Sequence, residues 1–80
     1  MIESFVLMTI ENGKVGEVMD LLKKLKEVKT IASTAGGYDL IIFAKLKDLE
    51  NLHDFVTFKI QKIDGVKHTE TQIIAKKIIK

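Results

Sequence analysis

Eighty residues with thirteen lysines, no arginine, eleven carboxylates and a net charge of +2 describe one small domain, and a chain this short buries only about two thirds of its unfolded surface. The absence of cysteine excludes disulfides and thiolate metal sites, and the absence of arginine removes the bidentate fork for phosphate or guanine, leaving anion binding to backbone N–H groups. The charges are interspersed, so no nucleic-acid footprint is visible, and no apolar run nears the roughly 18 residues of a membrane span or follows a basic leader; a cytoplasmic protein without cofactor is expected.

Glu3 to Ile10 is rich in large and β-branched residues, with Phe5 and Leu7 on one face and Ser4, Val6, Met8 and Ile10 on the other, which predicts a first strand apolar on both faces. Glu11-Asn12-Gly13 signals a turn, and Asn12 is placed to cap a helix from about Lys14 to Lys26, with Val15, Val18, Leu22 and Leu25 as its inward stripe. Val28 to Ala35 is the second strand. Gly36-Gly37 then predicts a tight hairpin, because the primed turns that match strand twist need positive φ at their centre. Tyr38 to Leu46 follows as the third strand, with a phenol and the Asp39 carboxylate at the mouth of an apolar run.

Asp48 is placed to cap a second helix running to Lys62 or Ile63, whose inward stripe is Leu49, Leu52, Phe55, Val56, Ile60 and Ile63. Gly65 supplies its left-handed close, and Val66 to about Ile79 is the last strand. The order βαββαβ predicts a ferredoxin-like α+β domain over residues 1–80, a four-stranded antiparallel sheet in the order 4-1-3-2 with both helices on one face. Such a sheet should alternate apolar and polar residues, yet Ile41 and Phe43 oppose Leu40, Ile42 and Ala44. The second face therefore needs cover, most simply the same sheet of another copy in an isologous dimer.

His53 and His68 have no Cys, Ser or Asp partner at a local spacing that makes a triad or metal site, so both read as surface residues and no catalytic or metal-binding residue is assigned. Gly13-Lys14-Val15-Gly16 lacks the spacing of a phosphate loop. Phe5 and Phe43, with aliphatic neighbours and no arginine, read as packing rather than as an RNA platform. The C-terminal Lys76-Lys77-Ile78-Ile79-Lys80 reads as a solvated strand edge. Thr69 and Thr71, two apart on one strand, project from one face. The successive N–H groups at Gly36 and Gly37 suit a carboxylate and Asp39 suits an α-ammonium group, although an aspartate beside glycines also commonly bonds its own turn.

Ala35-Gly36-Gly37-Tyr38-Asp39-Leu40-Ile41 and Gly65-Val66-Lys67-His68-Thr69-Glu70-Thr71, in this order on a βαββαβ chain, resemble the two signatures of the C-terminal effector-binding domain of the Lrp/AsnC regulators, the RAM domain (regulation of amino acid metabolism). Ala35 stands where that family often has threonine. The resemblance implies a sheet-to-sheet dimer assembled into rings, often of four dimers, with amino-acid effectors held between dimers. It carries effector contact to Gly36, Gly37, Tyr38, Asp39, Thr69 and Thr71. It further implies a stand-alone RAM protein, since strand 1 begins at Glu3 and no helix-turn-helix precedes it. Such a protein would sense a metabolite and modulate a full-length regulator by mixed assembly, without binding DNA or a membrane itself. The rival readings are a small dimeric α+β barrel enzyme, monooxygenase- or isomerase-like, which would need a catalytic His or Asp facing a pocket between helices and sheet, and an ACT-like amino-acid-binding module with its ligand glycine at Gly13 or Gly16.

Overall fold

A computed structural model describes residues 1–80. Its elements are β1 (Ile2–Ile10), α1 (Val15–Leu22), β2 (Val28–Ser33), β3 (Leu40–Leu46), α2 (Leu49–Asp54), a wider helical segment (Phe55–Ile60) and β4 (Val66–Ile73). The strands form one antiparallel sheet in the order β2-β3-β1-β4, the expected ferredoxin-like topology read from the other edge.

The alternation seen in the sequence decides which face is covered. Ser4, Val6, Met8 and Ile10 of β1 and Leu40, Ile42, Ala44 and Leu46 of β3 are buried, packed with Val18 and Leu22 of α1 and with Leu52, Phe55, Val56 and Ile60. The opposite face carries Phe5 paired with Phe43 and Leu7 paired with Ile41 at its centre. The two phenyl rings lie 5.8 Å apart, and Phe5 is 41% exposed. No helix covers these four side chains, so the single chain leaves an apolar sheet face open.

One core position is mismatched. Ser4 is wholly buried opposite Ala44, and its hydroxyl has no hydrogen-bond partner. A buried polar group without a partner keeps its desolvation penalty. Ser4→Ala is therefore expected to raise the free energy of unfolding by about 1 kcal/mol, read as a higher urea midpoint at unchanged m-value; a lower midpoint would show that the hydroxyl is satisfied.

The element ends depart from expectation for identifiable reasons. Helix α1 stops at Leu22 rather than Lys26, because the N–H groups of Lys24 and Leu25 turn back to Leu21 and Leu22 over three residues and Val28 N–H bonds Leu25 O, which delivers the chain into β2. Asn12 is not its cap. Lys14 occupies that position without a side-chain bond, and the loop is held by Gly13 at φ +85° and by Glu11 N–H donating to Gly65 O at 2.8 Å.

Asp48 does cap α2, its Oδ1 accepting from Asn51 N–H at 2.8 Å, and this bond holds its carboxyl below the usual range. The helix does not continue in α form to Lys62. From Phe55 it widens to π-type bonding, with Gln61 N–H reaching Val56 O five residues back at 2.9 Å. Wider winding brings Phe55 and Ile60, five apart, onto the same buried side, while Phe58 stays 63% exposed. Gly65 closes the connection at φ +101°, as expected, and an added Cβ there would meet the Lys14 side chain at 3.0 Å.

Strand β4 ends at Ile73, not near Ile79. Ile74 N–H still donates to Glu3 O at 2.9 Å, but β1 starts at Ile2 and offers no further partner. The tail then crosses the open face rather than extending an edge. Lys77 pairs with Glu3 at 3.0 Å and lies 5.0 Å from the centre of the Phe43 ring, and the Lys77 bond is the main cause holding the Glu3 carboxyl below its usual range. No helix is long and apolar enough to cross a membrane.

Candidate functional site

The β2–β3 connection is longer than a two-residue turn. Six residues, 34–39, separate the strands, and of the two glycines only Gly36 has positive φ, at +141°. Thr34 closes the loop by donating its N–H to Asp39 O at 3.0 Å and its hydroxyl to Tyr38 O at 2.6 Å. Inside that closure the N–H groups of Ala35, Gly36, Gly37 and Tyr38 donate to no atom of the chain. Four successive amides are thus left free for solvent or for a ligand's acceptor atoms.

Asp39 has a dual position. Its Oδ2 accepts from Ile10 N–H at 2.7 Å and its own N–H donates to Met8 O at 2.9 Å, so the loop is stitched to the end of the central strand β1. One carboxylate oxygen is thereby committed to backbone, and lone pairs on the other remain available.

Tyr38 reaches past β1 to the neighbouring strand. Its hydroxyl donates to Glu70 Oε1 at 2.6 Å, and Gln72 Nε2 donates to the other oxygen of the same carboxylate at 2.8 Å. The Tyr38 phenol is held above its usual pKa by the Glu70 carboxylate first and by desolvation second. The Glu70 carboxyl is held below the usual range by the Tyr38 hydroxyl and then by Gln72, with a smaller contribution from His68. Glu70 and Gln72 stand opposite Leu7 and Phe5, on the open face of the sheet.

Thr69 and Thr71 point the other way. They pair with the buried Met8 and Val6, and so face the helices. Thr69 Oγ1 accepts from Gln61 Nε2 at 3.1 Å, a bond supplied by the end of the widened helix. Thr71 lines a cleft of about 340 Å³ between α2 and β4, with Leu49, Leu52, His53, Val56, Thr57, Gln61 and Ile73. Leu49, expected in the inward stripe, is 58% exposed at the rim of this cleft because it is the first residue of its helix. One chain thus brings Gly36, Gly37, Tyr38 and Asp39 together but leaves Thr69 and Thr71 on the opposite side of the sheet.

The two histidines are exposed and their side chains make no hydrogen bond within the chain. His53 does line the α2–β4 cleft, the place where a barrel-type enzyme would work, but no carboxylate lines it with His53. Nowhere do three or more His, Cys, Asp or Glu residues gather as metal ligands. Sequence reasoning missed Glu70, Gln72 and Gln61. The first two were within reach of the alternation rule, since two threonines on one face place the residue between them on the other. Gln61 had no such signal, because its reach depends on the change of helical winding.

Comparison with known proteins places these features in context. A family model described as the Lrp/AsnC ligand binding domain matches residues 3–80. An HTH-type transcriptional regulator of Pyrococcus horikoshii, PH0140, is 37% identical over 73 residues, which make up 91% of this chain and 46% of that protein, so the chain spans about half the length of this curated relative. The crystal structure of FFRP-DM1 superposes with a TM-score of 0.90 at 38% identity, covering 92% of this chain and 99% of that one. A transcriptional regulator of Neisseria meningitidis, solved as its complex with L-methionine, shares the fold with a TM-score of 0.90 at 20% identity, over 99% of this chain and 53% of its own.

Proposed function

Since the chain belongs to the Lrp/AsnC family through its ligand-binding domain, we propose that it is a non-enzymatic effector module that binds a free amino acid at the β2–β3 loop and works as a homo-oligomer. The observation that carries this reading is the loop itself, where four free amides at residues 35–38 stand beside the partly uncommitted Asp39 carboxylate. A zwitterion has an end for each. The L-methionine complex of the Neisseria regulator supports the ligand class.

Gly36, Gly37, Tyr38 and Asp39 form one half of the proposed site, and Thr69 and Thr71 of another copy form the other. The division is supported by their placement on opposite sides of the sheet within one chain. The open face with Phe5, Leu7, Ile41 and Phe43 supports a sheet-to-sheet dimer as the first step of assembly, with a ring of dimers beyond it. Within the same reading the domain reaches DNA through mixed assembly with a full-length regulator, the kind of protein its HTH-type relatives are. The lack of arginine and the net charge of +2 agree with that division of labour.

A thermal-shift screen of the twenty amino acids against wild type and Asp39→Asn tests the reading. The asparagine keeps an acceptor for Ile10 N–H while removing the charge. An amino acid at 100 times its dissociation constant stabilises the folded state by about 2.7 kcal/mol, several degrees in a domain of this size. Wild type is expected to respond to one or a few amino acids and the variant to respond weakly. A wild type indifferent to all twenty, or an equal response of the variant, sinks the reading.

A further inference from the structure

Among the loop side chains, Tyr38 is the one fixed by a side chain of β4. A phenol has one proton to donate. Here that proton is directed at Glu70 Oε1 at 2.6 Å, the short length of a charge-assisted bond. Glu70 is fixed in turn, because Gln72 Nε2 holds its second oxygen at 2.8 Å. His68 lies on the same face two residues earlier along β4. With its proton committed, the Tyr38 oxygen presents only lone pairs to a ligand.

We propose that Glu70 is a positioning residue of the effector site: by taking the Tyr38 proton it makes the phenol an acceptor, so that the group selected there is a hydrogen-bond donor, the ammonium end of an amino acid, and the deaminated analogue is rejected. The inference rests on the amino-acid reading above and adds a residue and a selection rule to it. Asp39 has one oxygen occupied by Ile10 N–H, so an acceptor from its chain neighbour Tyr38 adds to the recognition of a group that carries three donors. A hydroxyl in place of the ammonium would bring one proton, no charge and lone pairs facing those of Tyr38.

The sequence supplies its own probe, since Tyr38 is the single tyrosine and there is no tryptophan. In an ultraviolet titration of the folded protein, Glu70→Gln is expected to lower the Tyr38 midpoint towards the ordinary phenol value of about 10. An unchanged midpoint overturns the positioning role. Calorimetric titration with L-methionine and with its 2-hydroxy analogue then measures selection. Wild type is expected to prefer the amine by roughly tenfold or more, the loss that follows removal of one charge-assisted hydrogen bond. Glu70→Gln, whose amide can donate as well as accept, is expected to narrow that preference several-fold. Tyr38→Phe should narrow it equally, and the double variant no further.

A contact that merely pins the loop would lower the melting temperature of Glu70→Gln and leave the preference unchanged, and that result overturns the proposal. The two failures are separable. If wild type binds neither methionine nor any of the other nineteen amino acids, the effector reading falls and takes the selection rule with it. If wild type binds and Glu70→Gln keeps the wild-type preference, only the role of Glu70 falls.

Discussion

Replacing Leu7 and Phe43 together by lysine is expected to leave a 9.0 kDa monomer where the wild type elutes as a dimer or larger at micromolar concentration. The reason lies in the open side of the sheet. Phe5, Leu7, Ile41 and Phe43 are two opposed pairs at its centre, on a face that a one-sided antiparallel sheet would normally leave polar. Burying a side chain of this size contributes roughly 1.5–3 kcal/mol, and an isologous contact counts each residue twice. Two lysines per chain would bring four ammonium groups into that contact, and the Glu70 carboxylate opposite position 7 already has both oxygens bonded, to Tyr38 and Gln72. Sedimentation equilibrium reads the outcome directly. A wild type that runs as a monomer, or a double variant that keeps the wild-type mass, would place the assembly surface elsewhere.

Ile60→Ala is expected to have the largest effect on stability, about 3–4 kcal/mol within the range found for removing a buried isoleucine side chain. Ile60 is fully buried and ends the widened helix, one residue before the Gln61 that bonds Thr69. Native stabilities of about 5–15 kcal/mol leave a small domain little reserve after such a loss. Phe58→Ala, on the same segment but 63% exposed, should change the isolated chain by no more than about 0.5 kcal/mol. The contrast checks which side chains of the segment face the core. If the segment were ordinary α-helix, Lys59, four after Phe55, would share its buried side, whereas here Lys59 reaches Glu27 at 2.7 Å. Equal urea midpoints for the two variants would be incompatible with the placement of Phe55 and Ile60 on one buried side.

The order and faces of the strands were legible because alternation in β1 and β3 is a two-residue pattern that burial enforces, as Val6, Met8, Leu40 and Ile42 show. The Asp48 cap and the Gly65 turn were legible because each depends on one residue's local chemistry. The helix ends and the loop were not. Leu25 continues the helical spacing of α1, yet it belongs to the turn into β2, a decision made by where the sheet lies. Two adjacent glycines imply a tight turn, but Thr34 and Asp39 close a wider loop around them, and that closure needs the Met8 and Ile10 backbone groups of a distant strand. Tyr38 and Asp39 were recognisable as unusual for a strand entrance. Their partners Glu70 and Ile10, 32 and 29 residues away, were fixed only once three strands were side by side.

The stitching of the loop to β1 has a consequence for the reach of any signal. Asp39 grips β1 at Ile10, while Lys77 and the start of β4's exit grip it at Glu3, so the start of β1 and the exit of β4 lie at the opposite end of that strand from the β2–β3 loop. At about 3.4 Å per residue the separation is roughly 24 Å. A displacement of the loop therefore reaches the Glu3 end through the backbone of β1 rather than by direct contact.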